Sequence, residues 1–440
     1  MTRRTSLLAL TLVGALLLTA LFIRSVAATG MRTADPTTGP AFAEPVGQGA
    51  GLEGAVSTSS CVDGEQESGA KYRICTPTPP TVTWNGDLVV YAHGYVAYNR
   101  PVEIPEDQMS LPGSERSVDQ MVTDMGYAFA TTSYYTNGLA VLPAIGDLLD
   151  LVHVFTTTQG VTPTHVYLVG VSEGGLITTL SVEQHPEVYD GGLAMCGPYG
   201  DFHHQINHFG DFRVVFDYFF PDLMPGQPLS IPLELQEQWD HVFTTTIRPA
   251  VTDPANAARV DQLLEVTDVS PYHALPPTST ESIQSLLWYN VFATNDGVRK
   301  LGGQPFDNQD PYRTYSGSND DQALNDPQTG VERISGDPVA RDEIEAHYQT
   351  TGELSVPLVT LHTTGDPVVP YWHSTHYRLK TMRADNLALH QPFTIDRPGH
   401  CAFAAIEVIG AFNYLVEMVE DPPAYRPVER LFLPTVTRMP

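Results

Sequence analysis

The run Val166-Tyr167-Leu168-Val169-Gly170-Val171 is apolar and largely β-branched, and it breaks at Ser172-Glu173-Gly174-Gly175. Beyond the break, Leu176, Ile177 and Leu180 recur at helical spacing. The pattern reads as strand, tight turn and helix, with Gly-x-Ser-x-Gly at the turn: a nucleophile elbow. A serine there is held in a strained backbone conformation with its hydroxyl clear of the chain. Positions 170 and 174 need glycine, because side chains would collide with the neighbouring strand and helix. In a chain with 35 glycines the motif alone also fits an ordinary loop. The flanking strand and helix set it apart.

A serine hydroxyl is a poor nucleophile at neutral pH, so such a site needs a base within hydrogen-bond reach and an acid to orient that base. The stretch from Val356 to Thr364 reads as a buried parallel strand that delivers Asp366 at its carboxyl end, inside Gly365-Asp366-Pro367-Val368-Val369-Pro370. Phe393-Thr394-Ile395-Asp396 reads as a further short strand, and the loop Arg397-Pro398-Gly399-His400 after it presents His400. The chain order is Ser172, Asp366, His400. The bland alternatives are a turn residue at Asp366 and a helix cap at His400.

With Gly-x-Ser-x-Gly, Gly-Asp-Pro-Val-Val-Pro and Gly-His-Cys-Ala-Phe each at a loop after an expected strand, the chain resembles the α/β-hydrolase superfamily from about Leu88 to Val419. The resemblance implies an α/β fold, a mainly parallel sheet flanked by helices, with Ser172 as nucleophile, Asp366 as orienting acid and His400 as general acid and base. It also implies an oxyanion hole made by the backbone N–H of Glu173 and of Tyr95, the latter after the strand Leu88 to Ala92 and His93-Gly94. His93 is expected to be structural. The sequence leaves open whether the Glu173 side chain faces solvent or the pocket rim.

Strands and helices alternate through Leu88–His93, Ser117–Met125, Tyr127–Ser133, Leu139–Phe155, the elbow and Gly192–Met195, and strands resume at Val356 with a last helix near Ala404–Val419. Between 197 and 354 the alternation gives way to aromatic, Pro-rich and polar segments, with helices expected at Phe209–Phe220, Leu233–Phe243, Ala255–Leu264 and Ile283–Phe292. The expected organisation is therefore a core of 61–196 and 355–440 with a 197–354 insertion, which the resemblance implies is a largely helical cap or lid. Met195, Tyr199, Phe216, Tyr218, Phe219, Phe220 and Trp288 are candidates for the pocket or the core of the cap, and more of them for the core.

Arg3 and Arg4 precede the apolar run Leu7 to Ile23, and Val26-Ala27-Ala28 supplies small residues for cleavage. Residues 1–28 read as an export signal, with an uncleaved membrane anchor as the alternative, and the Thr/Pro/Gly/Ala/Ser-rich 29–60 as a flexible stem. No other segment reads as a membrane span. Losing Arg3, Arg4 and Arg24 leaves 20 basic against 51 acidic side chains, a net charge of −31. Such a surface repels nucleic acid and anionic lipid, so neither is an expected partner.

An exported chain meets an oxidising compartment, where the four cysteines Cys61, Cys75, Cys196 and Cys401 permit two disulfides in three connectivities. Cys61 and Cys75 flank an expected hairpin, which favours pairing them and leaves Cys196 with Cys401; free buried thiols are the alternative for that second pair. The His400-Cys401 pair resembles tannase and feruloyl esterase relatives, in which a cysteine before the serine bonds one after the histidine. This chain has Val171 before Ser172 and departs from that pattern.

Asp307, Asp310, Asp320, Asp321 and Asp326 could offer oxygen ligands to Ca²⁺, but their spacing is not that of an EF-hand, and a solvated acidic loop is the expectation. His203, His204 and His208 have no second ligand set for Zn²⁺, which assigns them to the surface or the cap. No metal or organic cofactor is expected. By the resemblance, a serine rather than a carboxylate at the elbow argues against dehalogenase and epoxide hydrolase chemistry. A secreted carboxylic ester hydrolase acting on hydrophobic or aromatic esters is the leading expectation. An exopeptidase of the same fold, with Glu234, Glu237 or Asp240 anchoring a peptide terminus, is the alternative; a noncatalytic binding protein is the third.

Overall fold

The computed structural model describes residues 59–111, 114–269, 279–309 and 313–421. The expected export signal, and all but the last two residues of the expected stem, lie outside them. Eight strands form one sheet: β1 (Ser59–Glu65), β2 (Lys71–Pro77), β3 (Leu88–Ala92), β4 (Ala128–Thr132), β5 (Val166–Val171), β6 (Gly191–Met195), β7 (Leu358–Gly365) and β8 (His390–Pro398). Their order is β1-β2-β4-β3-β5-β6-β7-β8. β2 runs antiparallel to both its neighbours, and every other pair is parallel. This is the α/β-hydrolase fold.

The central strands β3, β4, β5 and β6 are buried along their whole length, as a sheet covered on both faces requires. Alternate residues serve opposite faces. Leu88, Val90 and Leu168 pack on one side against α2 (Val141–Gln159) and α3 (Glu173–Gln184), through Leu148, Leu151, Phe155, Leu176 and Leu180. Val89, Val169, Leu193 and Leu361 pack on the other, against Phe412 and Leu415 of the C-terminal helix. Each such side chain contributes about 1.5–3 kcal/mol on burial. Against expectation, α2 is itself long and apolar enough to cross a membrane. Its apolar face is spent on this core, since Val141, Ala144, Leu148, Leu151 and Phe155 are fully shielded.

The remaining helices are α1 (Val118–Asp124), α4 (Phe202–Phe219), α5 (Leu233–Glu237), α6 (Trp239–Val242), α7 (Arg248–Thr252), α8 (Ala257–Val266), α9 (Ser279–Lys300), α10 (Asp321–Leu324), α11 (Pro338–His347), α12 (Trp372–Arg383) and α13 (Ala405–Glu420). Helices α4 to α11 lie between β6 and β7 and build a second apolar core around Phe212, Phe216, Trp239, Leu263, Leu287 and Phe292. Arg213, fully buried there, donates to Asp217 (2.9 Å), to Asn290 Oδ1 on α9 (2.9 Å) and to the Gly226 carbonyl (3.2 Å), tying α4 to α9.

Within the insertion, three expected helices differ from those observed by more than two residues. The one at 233–243 breaks at Gln238 and passes into a π turn at Phe243–Ile247, where three threonines and the following Pro249 disfavour a regular α-helix. The one at 209–220 starts seven residues earlier at Phe202, because Asp201 caps it by accepting from the His204 amide. The one at 283–292 runs from Ser279 to Lys300. Its polar last turns are held by ion pairs from Asp296 to Arg299 and Lys300.

Candidate active site

Ser172 follows β5 directly with φ +58° and ψ −122°, a conformation that costs a non-glycine residue about 1–3 kcal/mol, and α3 starts at the next residue. The sterics around it are severe. A Cβ on Gly170 would lie 2.0 Å from the Gly174 carbonyl oxygen, and one on Gly174 would lie 2.0 Å from that of Ala92 on β3. The Ser172 amide donates to the Met195 carbonyl (2.9 Å), which moors the turn to the end of β6.

Asp366 and His400 reach this serine from the carboxyl ends of β7 and β8. The His400 Nδ1–H donates to Asp366 Oδ2 (2.7 Å), and His400 Nε2 accepts from the Ser172 hydroxyl (2.9 Å). The other Asp366 oxygen accepts the amides of Val368 and Val369, 2.9 Å each. A hydroxyl bonded to an imidazole that is in turn oriented by a buried carboxylate can lose its proton as it attacks an electrophile.

Both loops are fastened from several sides. In the acid loop, His208 donates to the Pro367 carbonyl (3.0 Å), Gln205 to that of Val368 (2.9 Å) and His362 to that of Val369 (2.8 Å). Gln205 is itself aimed by His373, which donates to its Oε1 (2.8 Å) and accepts from the Gly200 amide (3.0 Å). Burial holds His208, His362 and His373 below the ordinary imidazole range, so each keeps a single N–H. In the histidine loop, the Gly399 amide donates to Gly365 (3.0 Å), Cys401 is bridged to Cys196 at the end of β6, and Arg397 pairs with Glu407 of α13 (2.8 Å). Both cysteines of that bridge have positive φ, +45° and +51°.

The two disulfides are therefore Cys61–Cys75 and Cys196–Cys401, the first joining residues directly opposite each other in the β1–β2 hairpin. Among the described residues, the two places where three metal-ligand side chains converge each contain one of these bridges, whose sulfurs are not available as thiolates. In the acidic stretch, Asp307 pairs with Arg341 (2.8 Å), Asp320 caps α10, and Asp321 and Asp326 accept backbone amides two or three residues away; Asp310 lies outside the described residues. The three histidines of the cluster all sit on α4, within the 197–354 insertion. His208 is buried and fastens the acid loop, while His204 stacks on Trp372 (4.3 Å) and His203 donates to the Pro305 carbonyl (3.2 Å).

The Gly94–Tyr95 segment passes close to the serine: a Cβ on Gly94 would lie 3.0 Å from the Ser172 Cβ. Its polar groups are nearly all engaged. Gln108 accepts the Gly94 amide (2.7 Å) and donates to the Tyr95 carbonyl (3.1 Å), while His93 Nδ1 donates to the Gly94 carbonyl (2.7 Å). The Tyr95 N–H has no acceptor among the described residues, and the Glu173 N–H, first in α3, has no carbonyl one turn back inside its helix. His93 is buried against Tyr134 (4.0 Å), and burial lowers its pKa to about 4.

Ser172 opens on a cavity of about 140 Å³, walled by Phe202, Ile206, Phe209, Tyr289, Leu301 and Phe306. Of the seven candidates for the pocket or the core of the cap, none lines it, and Phe216, Phe220 and Trp288 belong to the apolar core of the insertion. Tyr199 is in a packed core as well. Glu234 and Glu237 are exposed, and neither they nor Asp240 lines the cavity.

The Glu173 side chain faces this cavity and not solvent, with one carboxylate oxygen accepting the Ala140 amide (3.0 Å). Burial raises its pKa to about 8, against the opposing pull of that amide and of Lys300. The carboxyl is therefore neutral at pH 7 and charges on the alkaline side. Because its folded pKa lies above the unfolded value, its contribution to stability is complete below the usual glutamate range. That contribution is lost as pH rises toward 8 and beyond. At about 1.4 kcal/mol per pH unit, Glu173→Gln should leave stability nearly unchanged at pH 4 and raise it by roughly 3–5 kcal/mol at pH 9. Melting temperatures at the two pH values check this; equal shifts at both would show that the carboxyl ionises normally.

The strand order is that of the α/β-hydrolase fold, with a serine, a carboxylate and a histidine at the carboxyl ends of β5, β7 and β8. No family model matches the chain, and no curated protein matches it. Solved structures similar to it include the Pyrococcus horikoshii acylaminoacyl peptidase, at 10% identity and TM-score 0.40, covering 84% of this chain and 43% of that one. Feruloyl esterase B from Aspergillus oryzae is similar at 16% identity and TM-score 0.43, covering 83% and 81%. The rice cell wall degrading esterase from Xanthomonas oryzae is similar at 14% and 0.41, covering 83% and 89%. The chain spans less than half the length of the peptidase.

Proposed function

We propose that this chain is an exported serine hydrolase that cleaves carboxylic esters. The observation that carries the reading is the bonded chain Ser172–His400–Asp366 at the wall of an apolar cavity. Ser172 attacks the ester carbonyl as His400 takes its proton, and Asp366 stabilises the imidazolium. The amides of Tyr95 and Glu173 receive the charge that develops on the carbonyl oxygen. The alcohol leaves with the proton from His400, and water activated by the same imidazole hydrolyses the acyl enzyme. No metal or organic cofactor enters this cycle.

Helices α4 to α11 act as a cap whose apolar wall selects the substrate. An apolar cavity of about 150 Å³ holds benzene, so this one suits a single aromatic ring or a short acyl chain. The ester reading is preferred to the exopeptidase one because an exopeptidase anchors a charged peptide terminus. The carboxyl in this cavity, Glu173, is held neutral by burial. Export fits two disulfides in a chain with no free cysteine. The acidic balance makes nucleic acid an unfavourable partner, and contact with a membrane falls to residues 1–28 if they are retained.

Two panels test the reading. p-Nitrophenyl butyrate and benzoate should be hydrolysed about tenfold or more faster than the palmitate ester, and faster by a similar factor than aminoacyl p-nitroanilides. A preference for the anilides would replace the ester reading by the peptidase one.

A further inference from the structure

Tyr289 is a polar group at this site that the cycle above leaves unused. It lies on α9 and lines the same cavity as Ser172, with its hydroxyl near enough to the serine side chain to interact with it. The ring is held on three sides. It stacks on Phe209 of α4, with centroids 5.0 Å apart and planes 7° apart, and meets Tyr95 at 5.7 Å and Trp288 at 5.1 Å. Tyr95 in turn donates its hydroxyl to the Phe292 carbonyl of α9 (3.1 Å), so the loop that offers the Tyr95 amide and the helix that offers Tyr289 are pinned together. Burial raises the phenol's pKa further above its usual value, so it stays a donor at any working pH.

The Ser172 hydroxyl has one proton, committed to His400, and lone pairs that can accept another donor. We propose that Tyr289 is a third catalytic donor: it bonds to Ser172 Oγ at rest and to the tetrahedral oxyanion after attack. The proposal rests on Ser172 being the nucleophile. Once Oγ has formed its bond to the acyl carbon it is a weak acceptor, while the former carbonyl oxygen, on the adjacent atom, carries a full negative charge. The phenol proton remains on Tyr289 throughout; only its acceptor changes.

This makes the position of α9 part of the chemistry. The helix is docked on the core by Asp296, which accepts the Leu139 amide (2.8 Å), and by Lys300, which donates to the Asn137 carbonyl. Gly138 between them has φ +78°, and a Cβ there would fall 2.0 Å from Asp296 Oδ2.

Tyr289→Phe keeps the ring and its stacking and removes only the donor. Expected is a loss of kcat of about 10- to 100-fold with KM nearly unchanged, and an equal loss of affinity for a trifluoromethyl ketone analogue of the tetrahedral intermediate. Affinity for the corresponding non-hydrolysable ether should stay the same. The rate at which a fluorophosphonate modifies Ser172 should fall likewise. That rate needs no ester substrate: normal labelling of wild type without ester hydrolysis would refute the proposed function alone. An unchanged labelling rate in Tyr289→Phe, or ketone and ether affinities falling together, would overturn the role of Tyr289.

Discussion

Ser172→Ala should lower ester hydrolysis by a factor of about 10⁴–10⁶ and abolish labelling by a fluorophosphonate, with the melting temperature within a few degrees of wild type. The substitution deletes Oγ and nothing else. His400 and Asp366 keep their mutual bond, and the amides of Tyr95 and Glu173 keep their places. The backbone strain at position 172 is unrelieved, because alanine carries the same Cβ into φ +58°. What remains is the catalysis that binding and the oxyanion donors supply by themselves, typically about 10³-fold over water. The measurement is kcat/KM on a p-nitrophenyl ester, with intact mass after labelling. A variant that hydrolyses as fast as wild type would place the nucleophile elsewhere, and a chain that binds without turnover would be indifferent to the change.

The second large effect concerns the bridge Cys196–Cys401. It closes a loop of 205 residues, and the chain-entropy model values such a closure at close to 5 kcal/mol. Its partner Cys61–Cys75 closes only 14 residues and stands nearer 3 kcal/mol in the same model. The two should differ more sharply in activity than in stability. Cys401 follows His400 directly, with its sulfur 3.4 Å from His400 Nε2, whereas the N-terminal bridge lies at the edge of the sheet. Replacing Cys196 and Cys401 by serine should cut kcat by about tenfold or more, because a shift of even 1 Å in the base is costly. Replacing Cys61 and Cys75 should leave kcat unchanged. Urea unfolding and kcat for the two double variants decide the matter: equal effects on kcat would mean the His400 loop is held without its sulfur.

What the sequence made legible is local or carried by strand ends. The elbow announces itself because strand, glycines, serine and helix are contiguous, and the hairpin of Cys61 and Cys75 because its two strands are neighbours in the chain. Asp366 and His400 could be placed because each follows a short apolar run. Polar residues that act across the fold were not legible. Gln108 is 14 residues from Gly94, and Gln205 and His208 are about 160 from the loop they hold. Gln205 and His208 do share one helical face at i, i+3, the single signal that could have marked them as a pair. Helix α12 escaped notice because His373, Ser374, Tyr377 and Thr381 form its buried face, with few aliphatic side chains to show a period. The Glu173 side chain could not be oriented from sequence, since its partner at Ala140 comes from the start of a different helix.

Helix α4 has two tasks at once. Ile206 and Phe209 form part of the cavity wall, and Gln205 and His208, on the same turns, hold the loop of Asp366. The insertion is thus not a detachable module. A chimaera that exchanged everything between β6 and β7 for a foreign sequence would acquire a new pocket and lose the alignment of its own carboxylate. A graft that begins after Phe219 and spares α9 retains both bonds to the loop, which confines the exchangeable part of the substrate wall to the segments of the insertion outside α4 and α9.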